Sequence, residues 1–418
     1  MRRPIITVLV FLLFLSTSAH ARVLLDITSP GFTAVPIAIY DFLGDERGNR
    51  VSEIVREDLR FSGVFAPVDR EAYIETPLPV FDPSNWTPLG VELVVKGSVT
   101  TEDGDLVIVL YLYDVVEARK VMQKKYRAKA EFIRPLAHTI SNDIYKAITG
   151  QDGVFKTKIA FIAEEKDNRT IYVMDWDGKR LRSTGIRAPL ILSLHWSSDG
   201  KKLLYSSARG IQWGIYLADF TARKETLIYR STATNIAGDF LPDGRAFLFS
   251  SSRKGSPDIY LYHLRSRRME RITWKRGIEV SPAISPDGKT IAFVSDQTGT
   301  PQIYTMGLDG RGLRRISFSS GYSTSPAWSP RGDSIAYAGM VGGRHQIFVV
   351  NLKNLEPLQL TVKGNNEEPS FSPDGRFITF TSDRDGYKRV YIMRANGEAQ
   401  RPVSPGKMRA FGPKWSPK

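Results

Sequence analysis

The stretch SPAISPDGKTIAFVSDQTGTPQIYTMGLDG, residues 281–310, decides how the rest of the chain is read. In Ser285-Pro286-Asp287-Gly288, proline presets φ for the first central turn position and glycine suits the position that closes the turn. The flanking residues 281–284 and 290–295 are short and alternate apolar with polar, as the arms of a hairpin do. Ile303-Tyr304-Thr305-Met306 predicts a third strand, Asp309-Gly310 the next turn, and residues 313–317 a fourth strand. Four strands of five or six residues plus their turns occupy about 44 residues.

The same phrase recurs on both sides of this unit. Second strands open at Ile159, Leu203, Phe247, Ile291, Ile335 and Ile378, and third strands carry Tyr172, Tyr216, Tyr260, Tyr304, Phe348 and Tyr391. Both series step by 44, 44, 44, 44 and 43 residues. Some helical repeats have similar periods, but a Pro-Asp-Gly turn within the unit and two-residue alternation argue for strands. A four-stranded unit of this length is one propeller blade, so the series predicts an all-β six-bladed β-propeller. The first unit begins at Lys158-Ile159 without a preceding turn phrase, whereas Gly412-Pro413-Lys414-Trp415-Ser416-Pro417 is a turn phrase with no strand after it. The C-terminal strand is therefore expected to close the first blade, which removes two exposed strand edges. The turn phrase varies: Ser198 stands in place of Pro, Leu241 in place of Ser, and Arg331-Gly332-Asp333 reorders the fifth unit.

Residues 22–150 have a different texture. Strands are predicted over 35–42, 91–100, 106–113 and 120–128, with Glu102-Asp103-Gly104 as a hairpin turn. Val51, Ile54, Val55 and Leu59 fall at helical intervals, with Asn49 or Ser52 as N-cap. Ile133, Leu136, Ala137, Ile140, Ile144 and Ile148 form a second apolar stripe stopped by Gly150. The expected organisation is an α/β N-terminal domain over 22–150, a short linker at 151–153, and the propeller over 154–418.

Residues 1–21 read as a signal peptide. Arg2 and Arg3 precede an apolar run over 5–15, and Ala19-His20-Ala21 supplies the small-residue cleavage pattern, with cleavage after Ala21. The run is well short of the roughly 20 residues a membrane span needs. No Cys follows it, which excludes a lipid-anchored version of the signal. The expectation is a soluble periplasmic monomer with no direct membrane span. Zero Cys also removes disulfides, thiol nucleophiles and Cys-based metal sites. The 418 residues carry a net charge of +14, but Lys and Arg are scattered, with no run of five, which favours a solvated surface over nucleic-acid binding.

Enzyme constellations are not found. G-x-S-x-G, H-E-x-x-H, a P-loop and a strand-linked G-x-G-x-x-G are all missing. His138, His195, His263 and His345 are far apart in sequence, unlike metal ligands, and read as structural or surface residues. Asp175-Trp176-Asp177-Gly178 and Asp383-Arg384-Asp385-Gly386 resemble calcium loops in composition only; the other EF-hand ligands are missing, and the pairs read as hairpin turns. No cofactor and no metal are expected. What remains is a recognition surface. Residues preceding each innermost strand should ring the channel mouth: Asn235, Ile236, Glu279, Val280, Ser323, Thr324, Asn366, Glu367, Glu368 and Arg409. Their mixture of amides, hydroxyls and both charges suits a protruding polypeptide loop.

Residues 54–70 (IVREDLRFSGVFAPVDR), Gly97-Ser98-Val99-Thr100 and the TSDRDG, SPDG and terminal PKWSP phrases resemble the TolB family, the periplasmic component of the Tol-Pal system. The blade phrases alone are shared with other propellers, including those attached to prolyl oligopeptidases, and a propeller accessory or enzyme domain of that type is the alternative. Such an enzyme needs a hydrolase region of about 200 residues with a nucleophile elbow, which this chain has no segment to house. The resemblance implies a non-enzymatic scaffold that binds the Pal lipoprotein at the channel mouth. It implies contact with TolA through the N-terminal segment, here Arg22, Val23, Leu24, Leu25, Asp26 and Ile27, and a role in outer-membrane integrity and cell division. The extended, apolar-rich character of that segment suits strand addition to a partner sheet and equally suits packing back on its own domain, two states that the resemblance implies act as a switch.

Overall fold

A computed structural model describes residues 33–274 and 277–418. The signal sequence, its cleavage site at Ala21 and the segment from Arg22 to Ile27 lie outside the described residues. Two compact units divide at Asp152 and Gly153. Among the described residues, no helix is long and apolar enough to cross a membrane.

The first unit is a five-stranded sheet with two helices. Its elements are β1 (Val35–Ile39), α1 (Glu46–Ser62), β2 (Phe65–Pro67), β3 (Leu93–Glu102), β4 (Asp105–Asp114), β5 (Arg119–Lys129) and α2 (Ile133–Thr149). The sheet order is β2-β1-β3-β4-β5. β1 runs parallel to both neighbours, while β3, β4 and β5 form an antiparallel meander. Val51, Ile54, Val55 and Leu59 are buried on α1, as their spacing predicts. The helix starts earlier than expected, however. Asp45, not Asn49 or Ser52, is the N-cap, and its carboxylate accepts from Arg47 N. Asn49 and Ser52 lie inside the first turns because Asp45 reaches an open backbone donor before them. Gly150 ends α2 with φ 72°, a left-handed conformation that glycine adopts at little cost. Ala38, Tyr40, Val94 and Tyr113 pack around the fully buried Trp86.

The second unit consists of six four-stranded antiparallel sheets. Blades 2 to 6 use consecutive strands. Blade 1 takes its innermost strand from Ala410–Trp415, which pairs antiparallel with Lys158–Glu165. Trp415 locks this closure: its indole Nε1 donates to Thr157 Oγ1 at 2.8 Å, and its ring stacks on Phe377.

The tyrosine marker has a packing cause. Each third-strand aromatic lies opposite an aromatic on the second strand of its own blade: Phe161–Tyr172, Tyr205–Tyr216, Phe249–Tyr260, Phe293–Tyr304, Tyr337–Phe348 and Phe380–Tyr391. Ring centroids are 5.3 to 6.2 Å apart. Because every blade is sandwiched between two others, both faces of a second strand are covered. All six residues of Ala246–Ser251 and of Phe377–Ser382 are buried. Leu204 and Ile215 of blade 2 meet Phe247 and Phe249 of blade 3 in one such inter-blade core.

Candidate functional site

Inner strands surround the propeller axis, and the turn phrase shapes them. In blade 4, the register against the second strand shifts between Val280 and Ala283; blades 5, 6 and 1 shift at Thr324/Ala327, Glu367/Ser370 and Phe411/Lys414. Ser281, Ser325 and Glu368 sit at these bulges with φ of 54°, 54° and 57°, and Gly412 takes the same place in blade 1 with φ 60°. Proline follows each of them, at 282, 326, 369 and 413. Proline has no N–H to give a ladder and is tolerated here because the innermost strand is an edge.

The result is an axial cavity of about 570 Å³ lined by all six inner strands. It reaches from Leu192 and Ile236 down to Ser198 and to the turn prolines 242, 286, 330, 373 and 417. The turn glycines fit closely against the preceding blade. A Cβ on Gly288 would lie 3.2 Å from Pro242 Cδ, and one on Gly375 3.2 Å from Pro330 Cγ. This explains why the glycine is repeated: it supplies positive φ and also leaves room for the neighbouring blade.

The sequence-predicted mouth residues divide in two. Asn235, Glu279, Ser323 and Asn366 do not precede the innermost strands; they are their first residues and are buried. Three of them tie each strand to the preceding blade. The Asn235 amide donates to Trp213 O at 3.0 Å and Ser231 Oγ at 2.8 Å. Asn366 donates to Gln346 Oε1 at 2.9 Å, and Ser323 Oγ donates to Gln302 Oε1 at 3.3 Å. Their polar character, which made them look like loop residues, is spent on these bonds. Ile236, Val280, Thr324 and Glu367 follow them and are partly exposed. Glu367 pairs with Lys388 at 2.9 Å and His345 at 3.4 Å. Arg409 is exposed and reaches Glu164 at 3.3 Å. Of the ten, Ile236 and Glu368 line the cavity; Glu368 Oε2 accepts from Gly412 N and Thr381 Oγ1, both at 2.7 Å.

The cavity wall includes residues that sequence reasoning passed over. His195, read as an ordinary histidine, is buried with Nδ1 2.6 Å from Asp239 Oδ1, and both line the cavity. Asp239 Oδ2 also accepts from Ile284 N at 3.2 Å. Burial opposes charge on Asp239, but the His195 hydrogen bond and the positive charge of Lys414 hold its carboxyl below the ordinary range. Burial, and then Lys414, push the His195 imidazole below its usual 6.5. No hydroxyl side chain among the described residues hydrogen-bonds to His195. The available signal was positional: His195 and Asp239 occupy the same place in consecutive repeats, 44 residues apart.

Fold and cavity together define a closed six-bladed propeller accompanied by an amino-terminal α/β unit. The chain belongs to the TolB family: the TolB beta propeller domain model matches residues 145–418 and the TolB amino-terminal domain model residues 23–121. It is 31% identical over 238 residues to the Tol-Pal system protein TolB of Polaromonas naphthalenivorans, covering 56% of each chain. It is 33% identical over 243 residues to that of Bordetella avium, covering 55% of this chain and 54% of the relative. The chain thus spans about half the length of the curated relatives it matches. The crystal structure of TolB from Acinetobacter baumannii superposes with a TM-score of 0.85 at 28% identity, covering 92% of this chain and 97% of that one.

Proposed function

We propose that the chain is a non-enzymatic periplasmic scaffold that receives a segment of a protein partner at the propeller axis. The observation that carries this reading is the cavity of about 570 Å³, whose wall is built from the six inner strands. Its size falls in the roughly 300–1,000 Å³ range of small-molecule and cofactor pockets, enough to take a few side chains of an inserted loop. Prolines, hydroxyls, aliphatic and aromatic side chains and a few charges form the wall, a mixture that suits a polypeptide loop. Membership in the TolB family supports a Pal-type peptidoglycan-associated lipoprotein as that partner, and a TolA-type inner-membrane protein as the partner of residues 22–27. The cellular role that follows is support of outer-membrane integrity during division. Ile236, Val280, Thr324, Glu367, Glu368 and Arg409 are the proposed contacts, while the buried Asn235, Ser323 and Asn366 hold the rim in place.

Calorimetric titration of residues 22–418 with the soluble domain of the Pal-type lipoprotein from the same genome tests the reading. A one-to-one complex is expected, weakened about tenfold or more by Ile236→Asp or Thr324→Arg with the circular dichroism spectrum unchanged. A partner that shows no heat of binding and no co-elution would overturn it. Removing residues 22–27 should abolish binding of the TolA-type protein and leave the lipoprotein complex intact.

A further inference from the structure

One layer of the cavity is chemically lopsided. The residue two places before each turn serine, or its counterpart, is Lys414 in blade 1, His195 in blade 2, Asp239 in blade 3, Ala283 in blade 4, Ala327 in blade 5 and Ser370 in blade 6. All six line the cavity. Three consecutive blades therefore supply ionisable groups, and the other three supply small neutral ones. Within the ionisable arc, His195 Nδ1 and both Asp239 oxygens are already committed. Asp239 receives His195 on one oxygen and Ile284 N on the other. The Lys414 carbonyl accepts from Trp196 Nε1 at 3.0 Å. Its ammonium differs: among the described residues, it has no hydrogen bond and no ion pair. It lines the same cavity as His195 and Asp239, and its positive charge lowers the pKa of both.

We infer that Lys414 is a carboxylate-recognition point inside the channel, pairing with an acidic side chain or a C-terminal carboxylate of the inserted polypeptide. The inference rests on the reading that the channel receives such a segment. An ammonium in a confined cavity, stripped of part of its hydration and given no protein acceptor, gains most from an acceptor that arrives with the ligand. Ala283, Ala327 and Ser370 leave room across the channel for the chain bearing that group. Asp239 keeps its own charge and lies close by, so the site favours one carboxylate and disfavours two. Lys414 would then set which sequence inserts, and the rim residues would contribute general affinity.

The test uses the full chain and the same lipoprotein domain. Lys414→Gln should weaken the complex at least tenfold, while Lys414→Arg, which keeps the charge, should stay within about threefold. Replacing the partner's acidic residues singly with their amides, and its C-terminus with an amide, should reveal one change that has no further effect in the Lys414→Gln background. If wild type binds and Lys414→Gln binds equally well, the carboxylate inference is wrong and the scaffold reading stands. If wild type does not bind the lipoprotein at all, the scaffold reading is wrong, and the lysine is probed separately with N-acetyl-Ala-Glu-Ala-amide and its Gln twin. A shift of the His195 ring resonances with the Glu peptide alone, lost in Lys414→Gln, supports the site; no shift overturns it. Unchanged thermal unfolding of both Lys414 variants separates recognition from folding.

Discussion

Single residues in this chain act mainly through what the neighbouring blade or loop places against them. Gly288 combines φ of 72° with an adjacent Pro242, so Gly288→Ala both strains the backbone and crowds the blade contact. A loss of about 1–2 kcal/mol is expected in urea denaturation, from the left-handed conformation alone. In the first unit, Lys96 is 1% exposed and donates to Glu75 Oε2 at 2.6 Å, Thr76 O at 2.9 Å and Val80 O at 2.6 Å. It pins the loop that covers the sheet. Lys96→Met leaves the Glu75 carboxylate without its cation and should cost about 3–5 kcal/mol. The double change Lys96→Met with Glu75→Met should recover much of that loss, because the stranded charge is then gone as well. A double variant no more stable than the single one would show that the main-chain bonds to the loop matter more than the ion pair.

At the scale of elements, the closing strand carries more than its six residues suggest. Ala410–Trp415 pairs with Lys158–Glu165 and also bonds to blade 6, where Trp415 N donates to Ser370 Oγ at 3.1 Å. Deleting residues 411–418 reopens the blade 1 edge and uncovers the cores on both sides of it. The midpoint of thermal unfolding should fall by many degrees; a change of only one or two would show that the ring holds without closure. Trp415→Ala is the milder version, at about 3–5 kcal/mol for a buried tryptophan. The α1 N-terminus offers a smaller effect: Asp45→Ala removes the cap to Arg47 N and should cost about 1 kcal/mol, whereas Asn49→Ala should cost little.

For the molecule as a whole, the shifts at His195, Asp239 and Glu75 all make acid the destabilising direction. Asp239 and Glu75 are held below their ordinary carboxylate values even though burial opposes it, by His195 and Lys414 for the first and by Lys96 for the second. A carboxyl with a lowered folded pKa adds stability above its unfolded value and loses it as pH falls through the folded one. The His195 imidazole is also lowered, from 6.5, by burial and Lys414, so the unfolded chain takes up that proton first. Stability should therefore begin to fall below about pH 6.5 and fall more steeply below about pH 4.5. In a pH series of unfolding midpoints, His195→Gln should flatten the upper part of that slope and leave the lower part. An unchanged slope between pH 6.5 and 5 would detach His195 from it.

The number of blades, their order and the closing strand were readable from the sequence, because each repeat uses the same local chemistry. A Ser-Pro-Asp-Gly turn determines where the chain reverses, and an aromatic pair determines which residues face each other, whatever lies further away. Of the cavity wall, only Ile236 and Glu368 were among the residues read from the sequence. A two-residue alternation assigns faces only while the ladder is regular, and the bulges at Ser281, Ser325, Glu368 and Gly412 change which residues turn inward. Asn235 and Asn366 looked like rim groups until the preceding blade supplied their hydrogen-bond partners. His195, Asp239 and Lys414 became neighbours only when blades 1, 2 and 3 packed side by side. The sequence by itself determined the propeller, since turn and strand chemistry are local. The identity of the residues facing the axis was decided by tertiary structure, since it depends on bulged registers and on contacts between neighbouring blades.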